Sequence, residues 1–327
     1  MMAVRQAELR PAGQAQWLER LNQELLLSAF LLLLVIVLTA LRPDFLSGQS
    51  VSSILMDSSH LIVAAVGMTL VIVAGGIDIS VGSMLAMCAV IGGLLAQSGV
   101  APELAMLAIV LSGTLFGLIN GSLVVWGGIP SIIVSLGMLS ILRGAVVLLT
   151  GGSWIQNLPQ GFYIGQRSVL GLPVPILVAV VVLAAAALWM RYSPLGRQVY
   201  AVGANREAAR LTGINVKRIQ LLTFTVNGTL VGLAALIFAT RFSAIQTNAG
   251  VGFELQVITA AVVGGVSIMG GAGTVLGAAL GGLLLNVISK GMIFLRVSAY
   301  WFLAVQGALI LLAVVVDIWR KRRLGEL

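Results

Sequence analysis

Long apolar runs, separated by short polar or glycine-rich stretches, fill almost the whole sequence and limit what it can fold into. A helix needs about 20 apolar residues to cross a bilayer. Only 9% of the residues are charged, whereas a soluble domain carries roughly a quarter. The sequence therefore predicts an all-α polytopic membrane protein with about ten transmembrane helices, at residues 25–41, 51–75, 81–97, 104–126, 131–150, 174–190, 220–240, 255–268, 274–289 and 297–316.

The basic residues predict which way these helices run. Of the 19 lysines and arginines, 13 lie in three blocks, before residue 25, between 191 and 219, and after 316. Such blocks mark cytoplasmic segments. Six runs separate the first block from the second and four separate the second from the third, so all three blocks and both termini are expected in the cytoplasm. The net charge of +8 thus reflects topology, and no nucleic-acid partner is predicted.

These boundaries divide the chain into three parts. Residues 1–24 form a cytoplasmic N-terminal segment, either a helix along the inner surface or a frayed tail. Residues 25–316 form the membrane domain, with a cytoplasmic loop at 191–219, and residues 317–327 form a basic cytoplasmic tail.

The polar inventory is too sparse for catalysis. The single cysteine, Cys88, excludes an intrachain disulfide framework and a multi-cysteine metal site. There is no phosphate-binding glycine-rich loop, no HExxH pattern and no Ser-His-Asp arrangement. We predict no catalytic residue, no metal, no cofactor and no enzymatic activity.

Two glycine-rich segments interrupt the apolar runs, at 75–82 (GGIDISVG) and 264–274 (GGVSIMGGAGT). They predict broken helices, which membrane proteins tolerate only where protein or water surrounds the backbone. Ala-Ala-Val precedes each segment, at 64–66 and 260–262, which indicates a weak internal repeat. Asp78 and Ser80 are expected to cap the helix that restarts after the first break.

A few polar residues fall inside the apolar runs, where an ionised group costs about 2.5–3.5 kcal/mol. Asp78, Asn120 and Asn227 are candidates for a polar translocation pathway. A helix cap at Asp78 and interhelical hydrogen bonds at the two asparagines explain them equally well. Roles for Asp57, His60 and Arg143 stay open, although His60 has no partners for a metal site.

The cytoplasmic loop contains a short predicted helix. Asn205 is the expected N-cap and Gly213 the expected stop, and the segment presents Arg206, Glu207 and Arg210. Such a helix fits a groove on a soluble partner, although a solvated loop is the simpler interpretation. Because the chain has neither an ATP site nor a chain of intramembrane carboxylates, a transporter of this kind must take its energy from another subunit.

Four segments resemble the permeases of bacterial ABC importers for monosaccharides: residues 67–87, 120–144, 193–216 and 260–282. The resemblance covers nearly the whole chain from about Val51 to Val316. Residues 149–159 and 250–271 look most similar to the rhamnose and autoinducer-2 permeases, whereas residues 1–24 match no motif of the family.

The resemblance implies a translocation subunit for a rhamnose-, autoinducer-2-, ribose- or xylose-type solute in a bacterial inner membrane. It implies three partners: a cytoplasmic ATP-binding subunit, a second permease chain in a homo- or heterodimer, and a periplasmic sugar-binding protein. It also makes Asn205, Arg206, Glu207, Arg210 and Gly213 the helix that couples to the ATPase. The alternative prediction is a secondary carrier driven by an ion gradient.

Overall fold

The structure, a computed structural model, describes residues 12–298 and 300–324. Ten apolar helices, one for each predicted span, and two short helices of the central loop make up most of it; the first of these loop helices was not predicted. The apolar helices are α1 (Ala12–Leu41), α2 (Gly48–Val73), α3 (Val81–Gln97), α4 (Pro102–Val125), α5 (Ser131–Thr150), α6 (Val174–Tyr192), α9 (Val216–Arg241), α10 (Phe253–Val263), α11 (Val275–Phe294) and α12 (Trp301–Leu324).

The central loop folds into α7 (Pro194–Ala204) and α8 (Arg206–Leu211). Between α5 and α6 the chain forms short 3-10 turns and one small hairpin of β1 (Ser168–Val169) and β2 (Leu172–Pro173). Large apolar side chains on α1, α4, α5, α6 and α12 remain exposed, as expected for helices that face lipid. The protein is therefore a multi-pass membrane protein.

Helix α2 lies at the centre of the bundle, and most of its residues from Leu61 onwards are buried. Beside it, α4 and α9 cross at glycines. A Cβ atom on Gly117 would lie 2.4 Å from the Phe224 carbonyl oxygen, and one on Gly228 would lie 2.3 Å from that of Gly113. Membrane helices associate through such close backbone approach because apolar side chains gain little by leaving lipid.

Two of the ten predicted spans are shorter than a full crossing. Within the described residues, eight helices are long and apolar enough to span a membrane, whereas α3 and α10 are shorter apolar helices. With its 11 residues, α10 extends only about 16 Å. The prediction of a continuous helix over 255–268 was therefore wrong. The segment before α10 enters the bundle without helical structure, and Gly250 packs against the backbone of Gly82.

The start of the first membrane run, the end of the last and the central loop meet at the second break. The hydroxyl of Thr274 in this break donates to the Glu24 carboxylate on α1. Ser267, in the same break, donates to Asp317 on α12 at 2.9 Å. The loop contacts this break as well, because the Tyr200 hydroxyl donates to the Gly273 carbonyl at 2.8 Å. These described residues lie at one end of the bundle, in agreement with the predicted common side.

The N-terminal segment differs from the prediction. Helix α1 begins at Ala12 and continues without interruption to Leu41, so residues 12–24 are neither a separate surface helix nor a frayed tail. Residues 1–11 lie outside the described part of the chain. At the other end, α12 runs to Leu324, so the first part of the predicted tail continues the last membrane helix.

Candidate functional site

The first break turns the chain back into the bundle. After α2 ends at Val73, Gly75 adopts a φ of +80°, a left-handed conformation that glycine accepts without steric cost. Asn227 on α9 lies level with Gly67 of α2, because a Cβ on Gly67 would meet the Asn227 Oδ1 atom at 2.7 Å. Gly67 lies about 9 Å from the end of α2, and therefore inside the bundle. Asn227 is at the same depth, so the part of the first break that bonds to Asn227 also lies inside the bundle.

Asp78 is at the centre of this segment and is fully buried. Its Oδ1 atom accepts from the Ser80 backbone N–H at 3.0 Å and from the Ser80 hydroxyl at 2.5 Å. Ser80 makes no side-chain cap of α3. The prediction that the Ser80 hydroxyl caps the restarting helix was therefore wrong, because this hydroxyl donates to a buried carboxylate.

The two candidate asparagines meet the same carboxylate. Asn227 Nδ2 donates to Asp78 Oδ2 at 3.1 Å, and Asn120 Nδ2 lies 3.4 Å from that oxygen and 2.9 Å from the Ser80 hydroxyl oxygen. All four residues are buried. We call Asp78, Ser80, Asn120 and Asn227 the polar cluster.

The polar cluster has unused hydrogen-bonding capacity. The side-chain carbonyl oxygens of Asn120 and Asn227 are buried and accept no hydrogen bond from the described residues. Buried polar atoms without partners are uncommon, because each costs about 1–3 kcal/mol. A carboxylate, two amides and a hydroxyl can together donate to and accept from a hydroxylated solute. Among the described residues no group of three His, Cys, Asp or Glu side chains is placed to hold a metal ion.

A cavity of about 380 Å³ opens beside the polar cluster, towards the end of the bundle that carries the loop. Gly76 lines it, two residues before Asp78, and so do Thr223 and Phe224, one turn before Asn227. The remaining polar lining comes from Ser131, Arg206 and Gln220. The cavity thus lies between the first break and α8 of the central loop.

The loop helix α8 forms as predicted. Asn205 Oδ1 accepts from the Ala208 N–H at 2.9 Å, so Asn205 is the N-cap. The helix ends at Leu211, and Gly213 follows with a φ of +84°. Glu207 and Arg210 are exposed, and Leu211 is 81% exposed, so one surface of α8 is open to a partner.

Arg206 makes a contact that the structure does not give for the other charged residues of α8. Its Nη2 atom donates to the carbonyl oxygen of Gly75 at 2.7 Å, so its guanidinium contacts the first break. The sequence grouped Arg206 with Glu207 and Arg210 as one docking surface. All three are exposed, and Arg206 bonds to the first break as well.

The remaining intramembrane polar residues lie away from the polar cluster. Asp57 pairs with Arg241 at 2.7 Å, towards the opposite end of α2 from the first break. The His60 ring stacks on Phe253 with ring centres 5.5 Å apart. Arg143 donates to the Ala249 carbonyl at 2.8 Å and so satisfies a non-helical backbone group just before α10.

Two features of the site were missed at the sequence level. The first is the glycine spacing that brings Asn120 and Asn227 together: residues 113, 117 and 121 on α4 and residues 228 and 232 on α9 are glycines four apart. This small-residue spacing is a recognised signal for helix association. The second is the bond between Arg206 and Gly75, for which the sequence holds no signal because 131 residues separate the two.

Comparison with known proteins agrees with this architecture. The family described as "Branched-chain amino acid transport system / permease component" matches residues 50–314. The chain belongs to this family. It is 39% identical over 300 residues to the autoinducer 2 import system permease protein LsrC of Enterobacter sp. (strain 638). The aligned region covers 90% of this chain and 87% of that protein.

Relatives named for a different cargo match over a similar length of the chain. The chain is 38% identical over 296 residues to the ribose import permease protein RbsC of Haemophilus influenzae, covering 88% of this chain and 90% of that protein. The corresponding ribose import permease of Escherichia coli (strain K12) is 36% identical over 292 residues, covering 88% and 91%. The predicted resemblance to importer permeases is confirmed, and the chain is a multi-pass permease component of the inner membrane.

Proposed function

We propose that this chain is the translocation subunit of an ATP-driven importer for a monosaccharide or a sugar-like solute, of the ribose or autoinducer-2 type. The observation that carries the proposal is the similarity to two import permeases along about nine-tenths of the chain. The aligned region includes the central loop and the polar cluster. The chain has no enzymatic role of its own in this proposal.

The polar cluster and the cavity beside it supply the pathway. A sugar presents hydroxyl groups that both donate and accept hydrogen bonds. Asp78 accepts, the amides of Asn120 and Asn227 do both, and the buried amide oxygens without partners are available to a solute. We assign these three residues to the translocation pathway, with the cavity as its cytoplasmic vestibule.

The central loop supplies the coupling to a cytoplasmic ATP-binding subunit. Asn205 and Gly213 shape the ends of α8, and Glu207, Arg210 and Leu211 form its exposed surface. When ATP binding favours one arrangement of the ATPase, a helix seated on it shifts the permease towards the matching conformation. The remaining partners are a second permease chain, identical or different, and a periplasmic sugar-binding protein.

The domain boundaries follow from these roles. We assign residues 25–316 to the permease domain, with the coupling loop at 191–219. Residues 1–24 and 317–327 flank it on the cytoplasmic side, where Glu24 and Asp317 bond to the second break.

The test is uptake into proteoliposomes that contain the permease with its co-expressed ATP-binding subunit and binding protein. Radiolabelled ribose and autoinducer-2 are offered separately, with ATP inside the vesicles or with a proton or sodium gradient alone. We expect uptake of at least one probe with ATP and none with a gradient alone. Uptake driven by a gradient in the absence of ATP would instead favour the secondary carrier.

A variant pair tests the coupling surface in the same preparation. Arg210→Ala and Glu207→Ala together remove two of the three exposed charges of α8, and Arg167→Ala removes an exposed charge between α5 and α6 as a control. We expect the double variant to lose the ATP-binding subunit on affinity purification, and the control to retain it. Equal retention by both would contradict the assignment of α8.

A further inference from the structure

The two breaks and the cytoplasmic loop meet at one point. Arg206 on α8 donates to the Gly75 carbonyl of the first break at 2.7 Å, and Tyr200 on α7 donates to the Gly273 carbonyl of the second break at 2.8 Å. The second break also bonds to the end of α2, because the Gly271 N–H donates to the Val73 carbonyl at 2.9 Å.

Gly203 of α7 fills the space between these segments. A Cβ atom there would lie 1.6 Å from the Val73 carbonyl oxygen and 2.6 Å from the Gly271 nitrogen. One on Gly270 would lie 3.1 Å from the Cα atom of Gly75. The loop and both breaks therefore pack backbone to backbone. We call Gly75, Gly203, Gly270 and Gly271 the glycine junction.

The contact made by Arg206 is favourable for a specific reason. The last carbonyls of a helix have no partner within it and carry the negative end of the helix dipole. Gly75 follows the end of α2 by two residues, so its carbonyl lies outside the helix, close to the negative end of the dipole. A guanidinium placed there satisfies this non-helical carbonyl and complements the dipole. Arg206 thus fastens α8 to the C-terminal end of the central helix.

From Gly75 the connection to the polar cluster is short. Only Gly76 and Ile77 separate Gly75 from Asp78, and the Ile77 N–H donates to the Ser131 hydroxyl at 3.2 Å. A displacement of α8 that pulls on Gly75 therefore acts on a segment of three residues that ends at the buried carboxylate.

We propose that Arg206 is a positioning residue that transmits the movement of α8 to Asp78 through the Gly75 carbonyl, and that it is not a contact for the ATPase. This proposal rests on the importer function proposed above. It divides the charged residues of α8 into two groups with different tasks. Glu207 and Arg210 hold the partner, and Arg206 holds the first break.

The experiment uses the complete reconstituted transporter with ribose or autoinducer-2, whichever the wild type takes up. We compare Arg206→Ala, Arg206→Lys, Tyr200→Phe, Arg210→Ala and the control Arg167→Ala, which lies outside the coupling loop. Three quantities are measured for each: the amount of ATP-binding subunit that co-purifies, the rate of ATP hydrolysis, and the number of solutes taken up per ATP. Solute uptake per ATP is calculated per assembled complex, so a change in the amount of folded protein does not alter this ratio.

We expect Arg206→Ala to retain the ATP-binding subunit and to hydrolyse ATP, while solute uptake per ATP falls about tenfold, the change that corresponds to losing a hydrogen bond to a charged group. Arg206→Lys should recover part of the ratio, because an ammonium group can donate to the same carbonyl. Tyr200→Phe should lower the ratio less, and Arg210→Ala should lose the subunit.

Two results would overturn the proposal while leaving the importer function intact. One is a wild-type ratio in Arg206→Ala, and the other is loss of the ATP-binding subunit from Arg206→Ala as complete as from Arg210→Ala. If Arg206→Ala does not assemble as a permease, Arg206→Met takes its place, because methionine keeps the apolar stem and removes the donor. A wild-type ratio in Arg206→Met then overturns the proposal. Failure of the importer function itself is recognised separately, because wild-type uptake would then not depend on ATP.

Discussion

The two glycine-rich breaks share a contact but differ in what they carry. The first holds Asp78 and Ser80, whose side chains bond to each other and to asparagines on α4 and α9 inside the bundle. The second has five glycines and no charged residue, and its hydroxyls bond to the first and last helices. The first break thus brings a carboxylate into the interior, whereas the second anchors the two ends of the chain.

The comparison shows that an interrupted helix can serve two purposes in one bundle. Non-helical backbone inside a membrane protein needs surrounding protein to satisfy its polar groups. At the first break side chains supply the partners and create a polar site. At the second break Gly271 bonds to backbone and Gly264 packs against the backbone of Gly277. The polar site is therefore confined to one side of the glycine junction.

The largest effect is expected at the contact that both breaks share. Gly203→Ala places a methyl group 1.6 Å from the Val73 carbonyl oxygen, and neither backbone segment can move without displacing a break. We expect a loss of about 3 kcal/mol or more in the free energy of unfolding, measured by denaturation in detergent. The matched control is Gly137→Ala, where the added methyl group meets no atom within 4 Å. Equal stability of the two variants would refute the packed junction.

An intermediate effect is expected from removing the carboxylate of the first break. Asp78→Ala leaves the amide groups of Asn120 and Asn227 and the Ser80 hydroxyl without their buried acceptor. We expect a loss of about 2 kcal/mol, because unpaired buried donors cost more than the bond contributes, partly offset by the removal of a buried charge. Denaturation of the permease in detergent measures it. If the Asp78→Ala protein were more stable than the wild type, burying the Asp78 side chain would cost more free energy than its hydrogen bonds contribute.

The smallest effect is expected in the second break. The Thr274 hydroxyl caps α11 by accepting from the Gly277 N–H at 2.9 Å. Loss of an N-cap of this type costs about 1 kcal/mol, so Thr274→Ala should be mildly destabilised and should keep wild-type uptake per ATP. A strong loss of uptake in this variant would mean that the second break also takes part in transport.

The sequence predicted the parts of this site better than their assembly. The glycine and proline boundaries, Asn205 as an N-cap and Gly213 as a stop are local signals, because each depends on residues a few positions away. Asp78, Asn120 and Asn227 were selected one by one as polar residues in apolar runs. Their meeting was not predicted, because Asp78 lies 42 residues from Asn120 and 149 from Asn227 and only helix packing brings them together.

The predicted spans failed where the chain is not helical inside the bundle. Hydropathy places residues 255–268 in one span, but the helix ends at Val263, where Gly264 and Gly265 begin the second break. The non-helical segment before Phe253 is held by Gly250, which packs against Gly82, and by Arg143, which donates to the Ala249 carbonyl. Both are contacts between distant parts of the chain.

The most direct test of the account is uptake per ATP by Asp78→Asn in the reconstituted transporter, with Thr274→Ala as the matched variant from the other break. Asparagine keeps the shape of the side chain and replaces one acceptor oxygen with an NH₂ donor. We predict that Asp78→Asn assembles with the ATP-binding subunit and hydrolyses ATP, yet takes up solute about tenfold less per ATP, while Thr274→Ala matches the wild type. Wild-type uptake by Asp78→Asn would contradict the account, because the carboxylate of the first break would then serve only to hold the fold together.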